Sequence, residues 1–303
     1  MKISVVIPNY NGEENLNKIL SELETISNIL EIIVVDDASS DNSVGIIKKN
    51  FPNVKLIERL ENRGFSSSVN DGVKAVHGQL VLLLNTDVIP EINFLDSLTH
   101  HFEDPDVFAV GCLQKSYEHN KIIFRGRGIG NFSKGLLIHQ RGEVGKQNTL
   151  WVSAGAGLFR KDIWQKIGGL DSIYNPFYWE DIDISYRALK AGYKLVFESQ
   201  SAVWHYHEKG SIKNRYTQNK IKEISYRNQI LFIWLNISDK EYLLRHLLYL
   251  PYLFFKSLIY FDFSFVIGCI SALLKLPKVL ILRKKRKKLW NISDREILSH
   301  FKS

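Results

Sequence analysis

The N-terminal part of the chain alternates between two hydrophobic patterns. Unbroken apolar runs occur at Ile3–Ile7, Ile32–Val35, Val54–Ile57 and Leu80–Leu84. Between them, apolar residues recur three and four apart: Leu16, Ile19, Leu20 and Leu23, then Val44, Ile46 and Ile47, then the segment from Gly64 to Val76. Short continuous runs bounded by turn residues read as strands buried on both faces, and the longer spacing reads as amphipathic helix. The pattern predicts an α/β fold with a central, mostly parallel sheet covered on both sides. In such sheets ligand-binding residues gather at the carboxyl ends of strands. Asn9, Tyr10, Asp36, Asp37, Asn85 and Asp87 all fall at those ends.

The alternation weakens further along. Residues 116–150 are glycine-rich and predict a hairpin or loop. Trp151–Phe159, with its small residues, predicts a strand on which a ligand can approach the backbone at Gly155. Arg160–Ile167 predicts a short helix stopped by Gly168 and Gly169, and Lys194–Phe197 and Ala202–His205 predict two late strands.

Between these lies the most informative stretch, Trp179 to Arg187, which reads WEDIDISYR. Glu180, Asp181 and Asp183 crowd into four positions beside Trp179, at the start of an amphipathic helix carrying Ile182, Tyr186 and Leu189. A helix start gains from one or two carboxylates, whereas three repel one another. A site that holds a base, a cation or a polyhydroxyl ligand has a reason to keep them. The bland readings of the other candidates stay open on the residues alone. Asp36-Asp37 serves equally as a helix cap, Arg63 within Glu61–Phe65 belongs to a loop before a helix that Ser66 caps, and His205 reads as a structural histidine.

Composition changes the picture in one place. The chain of 303 residues carries a formal net charge of +8. Lys275, Lys278 and the run Arg283–Lys288 concentrate eight positive charges near the C-terminus, so the basic character belongs to one region. The two cysteines, Cys112 and Cys269, are far apart and outside any ligand pattern, which argues against a disulfide framework or zinc site. The run Ile3–Ile7 is too short for a signal peptide and ends at Pro8, which sets the expectation of a cytoplasmic protein. From about residue 212 long helical patterns replace the alternation. Leu243–Leu282 is apolar and aromatic but interrupted by Lys256, Asp262, Lys275 and Lys278, so the expected arrangement is interfacial helices with basic residues against anionic headgroups. Packing on the catalytic part, or a homodimer interface, is the alternative. The expected division is 1–211 for the catalytic domain and 212–303 for the helical region.

Five stretches together, SVVIPNYNGEENL, IIVVDDASSDNS, ENRGFSSSVNDGVKAVHGQLVLLLNTDV, GAGLFRKDIWQKIGGLD and FYWEDIDISYRALKAGYKL, followed by VWHYH, resemble the family 2 glycosyltransferases, which have the GT-A fold. Members of the rhamnosyl- and galactofuranosyltransferase type are the most similar in character. The resemblance covers roughly residues 3–207. It implies that Asp37, with Pro8, Asn9, Tyr10, Asp36, Asn62, Arg63 and Asn85, holds the nucleotide of a UDP- or dTDP-sugar donor. It implies a divalent cation, Mg²⁺ or Mn²⁺, at Asp87 and His205. Asn85 stands where the family's metal motif has its first aspartate, which removes one charge from that site. Asp181 matches the catalytic base of an inverting transfer. Trp179, Glu180, Asp183, Trp151 and Gly155 then border donor or acceptor sugar. The implied acceptor is a saccharide, carried on a lipid at the inner face of the cell membrane, in cell-surface polysaccharide synthesis.

Rival classes fare less well. A nucleic-acid binder would carry basic residues with interleaved aromatics in its core, which this chain lacks. A dinucleotide oxidoreductase would carry Gly-x-Gly-x-x-Gly after the first strand, where Pro8-Asn9-Tyr10-Asn11-Gly12 stands instead. A sugar-nucleotide-binding scaffold without turnover is the remaining alternative, and a donor-hydrolysis assay separates it from an enzyme.

Overall fold

The computed structural model describes residues 1–118, 121–206 and 215–301. Eleven strands are present among them: β1 (Ile3–Asn9), β2 (Ile29–Asp36), β3 (Lys55–Glu58), β4 (Leu80–Leu84), β5 (Val88–Pro90), β6 (Val107–Glu118), β7 (Lys121–Arg125), β8 (Gly128–Ser133), β9 (Leu136–Arg141), β10 (Ala156–Arg160) and β11 (Lys194–His205). The α-helices are α1 (Glu13–Glu24), α2 (Ser43–Asn50), α3 (Phe65–Ala75), α4 (Asp96–Thr99), α5 (Lys161–Ile167), α6 (Glu180–Lys190), α7 (Gln218–Asn236), α8 (Lys240–Ile259), α9 (Phe263–Leu274), α10 (Leu276–Arg286) and α11 (Asp294–Ser299).

The main sheet has the order β3-β2-β1-β4-β10-β6-β11-β5, with β7 paired to β6. Strands β3, β2, β1 and β4 are parallel, as the run-and-helix alternation predicts. β10 is antiparallel to both β4 and β6, and β5 is antiparallel to β11, so the second half of the sheet is mixed. Alternate residues of one strand enter different cores. Val5 and Ile7 pack with Leu16, Ile19 and Leu20 of α1, while Val6 packs with Val69 and Val73 of α3. Burial on both faces explains why these strands read as continuous apolar runs.

Several local expectations change. The strand expected at Trp151–Phe159 begins only at Ala156, because residues 151–155 form an irregular approach to it. The two late strands are one, β11, with an irregular register between Glu198 and Ala202. Helix α3 is preceded by Gly64 at φ 83°, a conformation a side chain would strain, rather than capped by Ser66.

The helical C-terminal region is not a separate layer. Ile230, Leu231, Phe232, Ile233 and Leu235 of α7 share one core with Leu137 of β9, with Ile173 and Tyr174, and with Trp179, Ile182 and Tyr186 around α6. Phe301 at the far end joins the same core. The boundary expected near residue 211, and His207 of the VWHYH stretch, lie outside the described residues.

Candidate active site

A cleft of about 1400 Å³ opens along the carboxyl ends of β1, β2 and β4 and continues to the start of α6. Pro8, Asn9, Tyr10, Asp37, Asn62, Asn85, Asp87, Gly155, Glu180, Asp181 and His205 all line it. Residues from distant parts of the sequence, expected to act on one ligand, therefore face one space.

The end nearest β1 and β2 is built by short polar links. Asp37 takes hydrogen bonds on Oδ1 from Arg59 Nη1 (2.9 Å) and the backbone N–H of Arg63 (3.0 Å), and on Oδ2 from the N–H of Gly64 (2.8 Å). A carboxylate offers about four acceptor positions, so Asp37 spends most of its capacity fixing the Asn62–Gly64 loop against the cleft. Asp36 behaves differently. It is buried and accepts from Asn9 Nδ2 (2.7 Å) and from Ser39 Oγ (2.6 Å), which ties the ends of β1 and β2 together. It does not line the cleft, so its expected contact with the nucleotide is replaced by a structural one. The Arg63 side chain also points elsewhere, to Glu61 on the surface (2.8 Å). Among the described residues, the Lys or Arg side chain that does line the cleft is Arg215, whose guanidinium lies 5.1 Å from the Tyr10 ring centre. Nothing in the sequence distinguished it from the basic residues around it.

Asp87 and His205 meet at the cleft wall. The imidazole Nε2 lies 3.4 Å from Asp87 Oδ2, and Nδ1 faces Gln114 Oε1 at 3.2 Å. The strand pairing enforces this meeting. His205 at the end of β11 pairs with Val88 of β5, next to Asp87, and the N–H of Tyr206 donates to the Asp87 carbonyl (2.9 Å). Two ligands on adjacent positions of an octahedral Mg²⁺-sized ion sit about 3 Å apart, given bonds of about 2.1 Å. One carboxylate and one imidazole at this spacing fit a divalent ion that takes its remaining ligands from phosphate and water. Asn85 lies against Gly155. Its backbone N–H donates to the Gly155 carbonyl (2.9 Å), and a Cβ on Gly155 would come within 2.4 Å of Asn85 Nδ2. A side chain at position 155 would therefore displace the Asn85 amide from its present place.

The far end of the cleft is the acidic stretch, entered through a strained turn. Tyr178 and Trp179 stand consecutively at φ 70° and 77°, where bulky residues are rarely found. Asn228 of α7 holds the turn. Its buried side-chain amide donates to the carbonyls of Tyr174 (2.7 Å), Phe177 (2.9 Å) and Tyr178 (2.9 Å). The sequence does carry a signal for Asn228, which sits on the helix face of Ile224, Leu231 and Leu235, a polar residue in an apolar stripe.

Helix α6 then divides its carboxylates. Glu180 and Asp181 face the cleft. Burial, and next the charge of Asp181, push the Glu180 carboxyl up to about 8, and its buried Oε2 has no hydrogen-bond partner among the described residues. Burial raises Asp181 to about 6, against the N–H of Ile182, which donates to Oδ1 at 2.8 Å. Asp183 faces away. Fully buried, it accepts from Tyr174 Oη (2.7 Å), Asn236 Nδ2 (2.7 Å), Arg187 Nε (2.8 Å) and Arg286 Nη1 (2.6 Å). Its burial alone would raise the carboxyl, but Arg286 and Arg187 outweigh that and hold it at about 2. The expected contact of Asp183 with a sugar is therefore corrected, because this side chain anchors α10 to α6. Trp179 is likewise buried, edge-on to His139 (5.0 Å) and against Phe232 (5.3 Å). Trp151 packs over Gly128 and against His139 (5.4 Å). Neither tryptophan lines the cleft.

The glycosyl transferase family 2 model matches residues 4–168. The chain is 26% identical over 218 residues to the pre-mycofactocin glycosyltransferase of Mycobacterium tuberculosis, covering 68% of this chain and 43% of that protein. It is 27% identical over 213 residues to the poly-beta-1,6-N-acetyl-D-glucosamine synthase of Staphylococcus aureus, covering 67% and 49%. This chain thus spans about half the length of these curated relatives. The structure of GalNAc-T7 with UDP, GalNAc and Mn²⁺ superposes with a TM-score of 0.64 at 18% identity, over 79% of this chain and 48% of that one. That likeness establishes the fold, a GT-A arrangement. With the family model covering more than half of its length, the chain belongs to glycosyl transferase family 2.

Proposed function

We propose that this protein is an inverting glycosyltransferase, moving a sugar from a UDP- or dTDP-sugar to a saccharide hydroxyl. The observation that carries the reading is the shared cleft. It joins a loop fixed by Asp37, a carboxylate–imidazole pair at Asp87 and His205, and a carboxyl group of raised pKa at Asp181.

In this reading the nucleotide lies against Pro8, Tyr10 and the Asn62–Gly64 loop. Asp87 and His205 hold a divalent cation, Mg²⁺ or Mn²⁺. When bound, it neutralises charge on the departing diphosphate as a Lewis acid. Arg215 adds a second positive charge over the same end of the cleft. Asp181 accepts the proton of the acceptor hydroxyl as that oxygen attacks the anomeric carbon. A base with its pKa near 6 is ionised at neutral pH yet still basic enough to take that proton. Glu180, protonated at neutral pH, supplies a hydrogen-bond donor beside the base. The fold of a nucleotide-sugar enzyme and a relative named as a polysaccharide synthase support a saccharide as the acceptor class. We place the reaction at the cytoplasmic face of the cell membrane, with the acceptor carried on a lipid.

Thermal melting of the protein against nucleoside diphosphates and nucleotide sugars, with and without Mn²⁺ or Mg²⁺, tests the reading. A ligand bound to the folded state raises the melting temperature. The expected result is a shift with UDP or dTDP that grows with metal and loses its metal dependence in Asp87→Ala. Folded protein that shifts with none of these ligands at saturating concentration would overturn the donor assignment.

A further inference from the structure

Among the described residues, 28 large apolar side chains are exposed, and 18 of them lie between Leu244 and Ile281. They are arranged in stripes. On α8 the exposed set is Leu244, Leu247, Leu248, Tyr249, Tyr252, Phe255, Leu258 and Ile259, and on α9 it is Phe263, Ile267, Ile270, Leu273 and Leu274. Residues three and four apart share one helix face. The opposite faces are already occupied, since His246 of α8 and Phe265, Val266, Cys269 and Ala272 of α9 are buried. These helices therefore bury one side and present a second apolar side outward, which an ordinary monomer surface does not do.

The charge around that face selects the partner. From Tyr242 to Ser293 the chain carries ten Lys and Arg residues and one acid, Asp262. Asp262 is engaged in capping α9 through the N–H of Phe265. Lys256, Lys278, Lys284 and Lys285 are exposed. A two-fold contact between copies would set like charges against each other. An anionic bilayer surface meets both requirements, accepting the apolar stripe among its acyl chains and the lysines among its headgroups. A cleft of about 460 Å³ lined by Lys134, Leu248, Tyr249, Tyr252, Leu253 and Lys256 lies in the same face. Two ammonium groups over apolar and tyrosine walls suit a phosphate headgroup with its chains.

The helices lie on the surface rather than cross it. No single helix among the described residues is long and apolar enough to span, although the pair Phe263–Leu274 and Leu276–Leu289, bent by 66°, passes by length and composition. That pair is fastened to the protein. Val266, Cys269, Ala272 and Val279 are in the core, and Arg286 is held by Asp171 Oδ2 (2.7 Å) and Asp183.

We infer that the outward face of α8, α9 and α10 docks on anionic lipid bilayers, with a lipid phosphate seated between Lys134 and Lys256. The inference stands apart from the transfer reaction and is tested without it. The full chain is sedimented with phosphatidylcholine vesicles and with vesicles that also contain phosphatidylglycerol. Protein is expected to pellet with the second set only. Lys134→Gln and Lys256→Gln each weaken binding about fivefold, and Leu247→Ser with Phe255→Ser abolishes it. All four side chains are outside the core, so unchanged thermal melting shows that these variants fold. Wild-type protein that stays in solution with both vesicles overturns the inference, as does equal pelleting of wild type and the Leu247→Ser/Phe255→Ser variant. Light scattering that shows a dimer broken by Phe255→Ser, without vesicle binding, assigns the face to a second copy instead.

Discussion

Asp181 and Asp183 are two residues apart on α6 and inhabit opposite chemical worlds. On the cleft side, Glu180 and Asp181 are pushed toward their neutral forms because, among the described residues, no cation offsets their burial. On the core side, Asp183 is more deeply enclosed yet strongly ionised, because Arg187 and Arg286 close on it. Burial is common to both. What separates a carboxyl group pushed toward its neutral form from one held ionised here is whether a guanidinium shares its space. The sequence WEDIDISYR shows three acids, and only the helix direction sorts them, since one turn of α6 places adjacent positions on different sides.

The largest expected effect tests the cleft side. Asp181→Asn keeps the size and the hydrogen bond to Ile182 while removing the basic lone pair. Positioned general bases contribute about 10²- to 10⁴-fold, so transfer should fall within that range while the donor-induced thermal shift stays. Turnover within a factor of a few of wild type would take Asp181 out of the base role.

The core side is read in stability instead. Asp183→Ala leaves Asp171 as the acid partner of Arg286 and deprives Arg187 of its carboxylate, with only backbone carbonyls left to it. Removing one member of a buried ion pair costs about 3–5 kcal/mol. Urea denaturation of this variant should therefore show a large loss, whereas Asp181→Asn should melt near wild type or above it. If Asp183→Ala unfolds like wild type, the Arg286 network is not what ties α10 to α6.

This pair also marks how far the sequence could be read. The parallel half of the sheet was legible because its strands are buried on both faces and its helices on one, so periodicity carried the answer. That Asp37, Asp87 and His205 reach the cleft was legible from residue type and strand-end position, and that Asp181 reaches it from the crowding of acids at a helix start. Asp36, Asp183 and the tryptophans were assigned to ligand, yet the structure gives them to packing. Their partners, Asn9, Arg286 and Phe232, come from elements whose contact with them no local pattern reveals. The basic run was also divided by folding. Arg286 is buried with Asp183, and Arg283 donates to the carbonyls of Trp234 (2.7 Å) and Ile237 (2.8 Å), while Lys284 and Lys285 remain exposed.

Asn228 connects the two sides, since it grips the strained turn that aims Asp181 while being part of the core that holds Asp183. Asn228→Ala leaves the carbonyls of Tyr174, Phe177 and Tyr178 without their donor, a loss of about 1–3 kcal/mol. Relaxation of the turn should lower kcat more than it raises KM for the donor, because the Asp37 end of the cleft, where we propose the nucleotide lies, is built separately. An equal fall in stability with unchanged kcat would make Asn228 purely structural.

The smallest effects lie in pH dependence, and there the two sides have opposite signs. Asp183, with its folded pKa at about 2 against an ordinary 3.8, binds fewer protons folded than unfolded. It adds stability that is present above pH 4 and lost as the pH falls toward 2. Glu180 and Asp181, raised to about 8 and about 6, bind more protons folded than unfolded. They make stability decline as pH rises from about 4 to 8. Glu180→Gln, which mimics the protonated side chain, should flatten the upper part of that decline and leave the acid limb unchanged. In kinetics, kcat/KM should rise with pH and level off above about 6 as Asp181 loses its proton, the two carboxyls titrating as a pair. A stability curve that keeps its full slope up to pH 8 in Glu180→Gln would show that Glu180 is not the source of that decline and that its carboxyl is not held neutral in the folded protein.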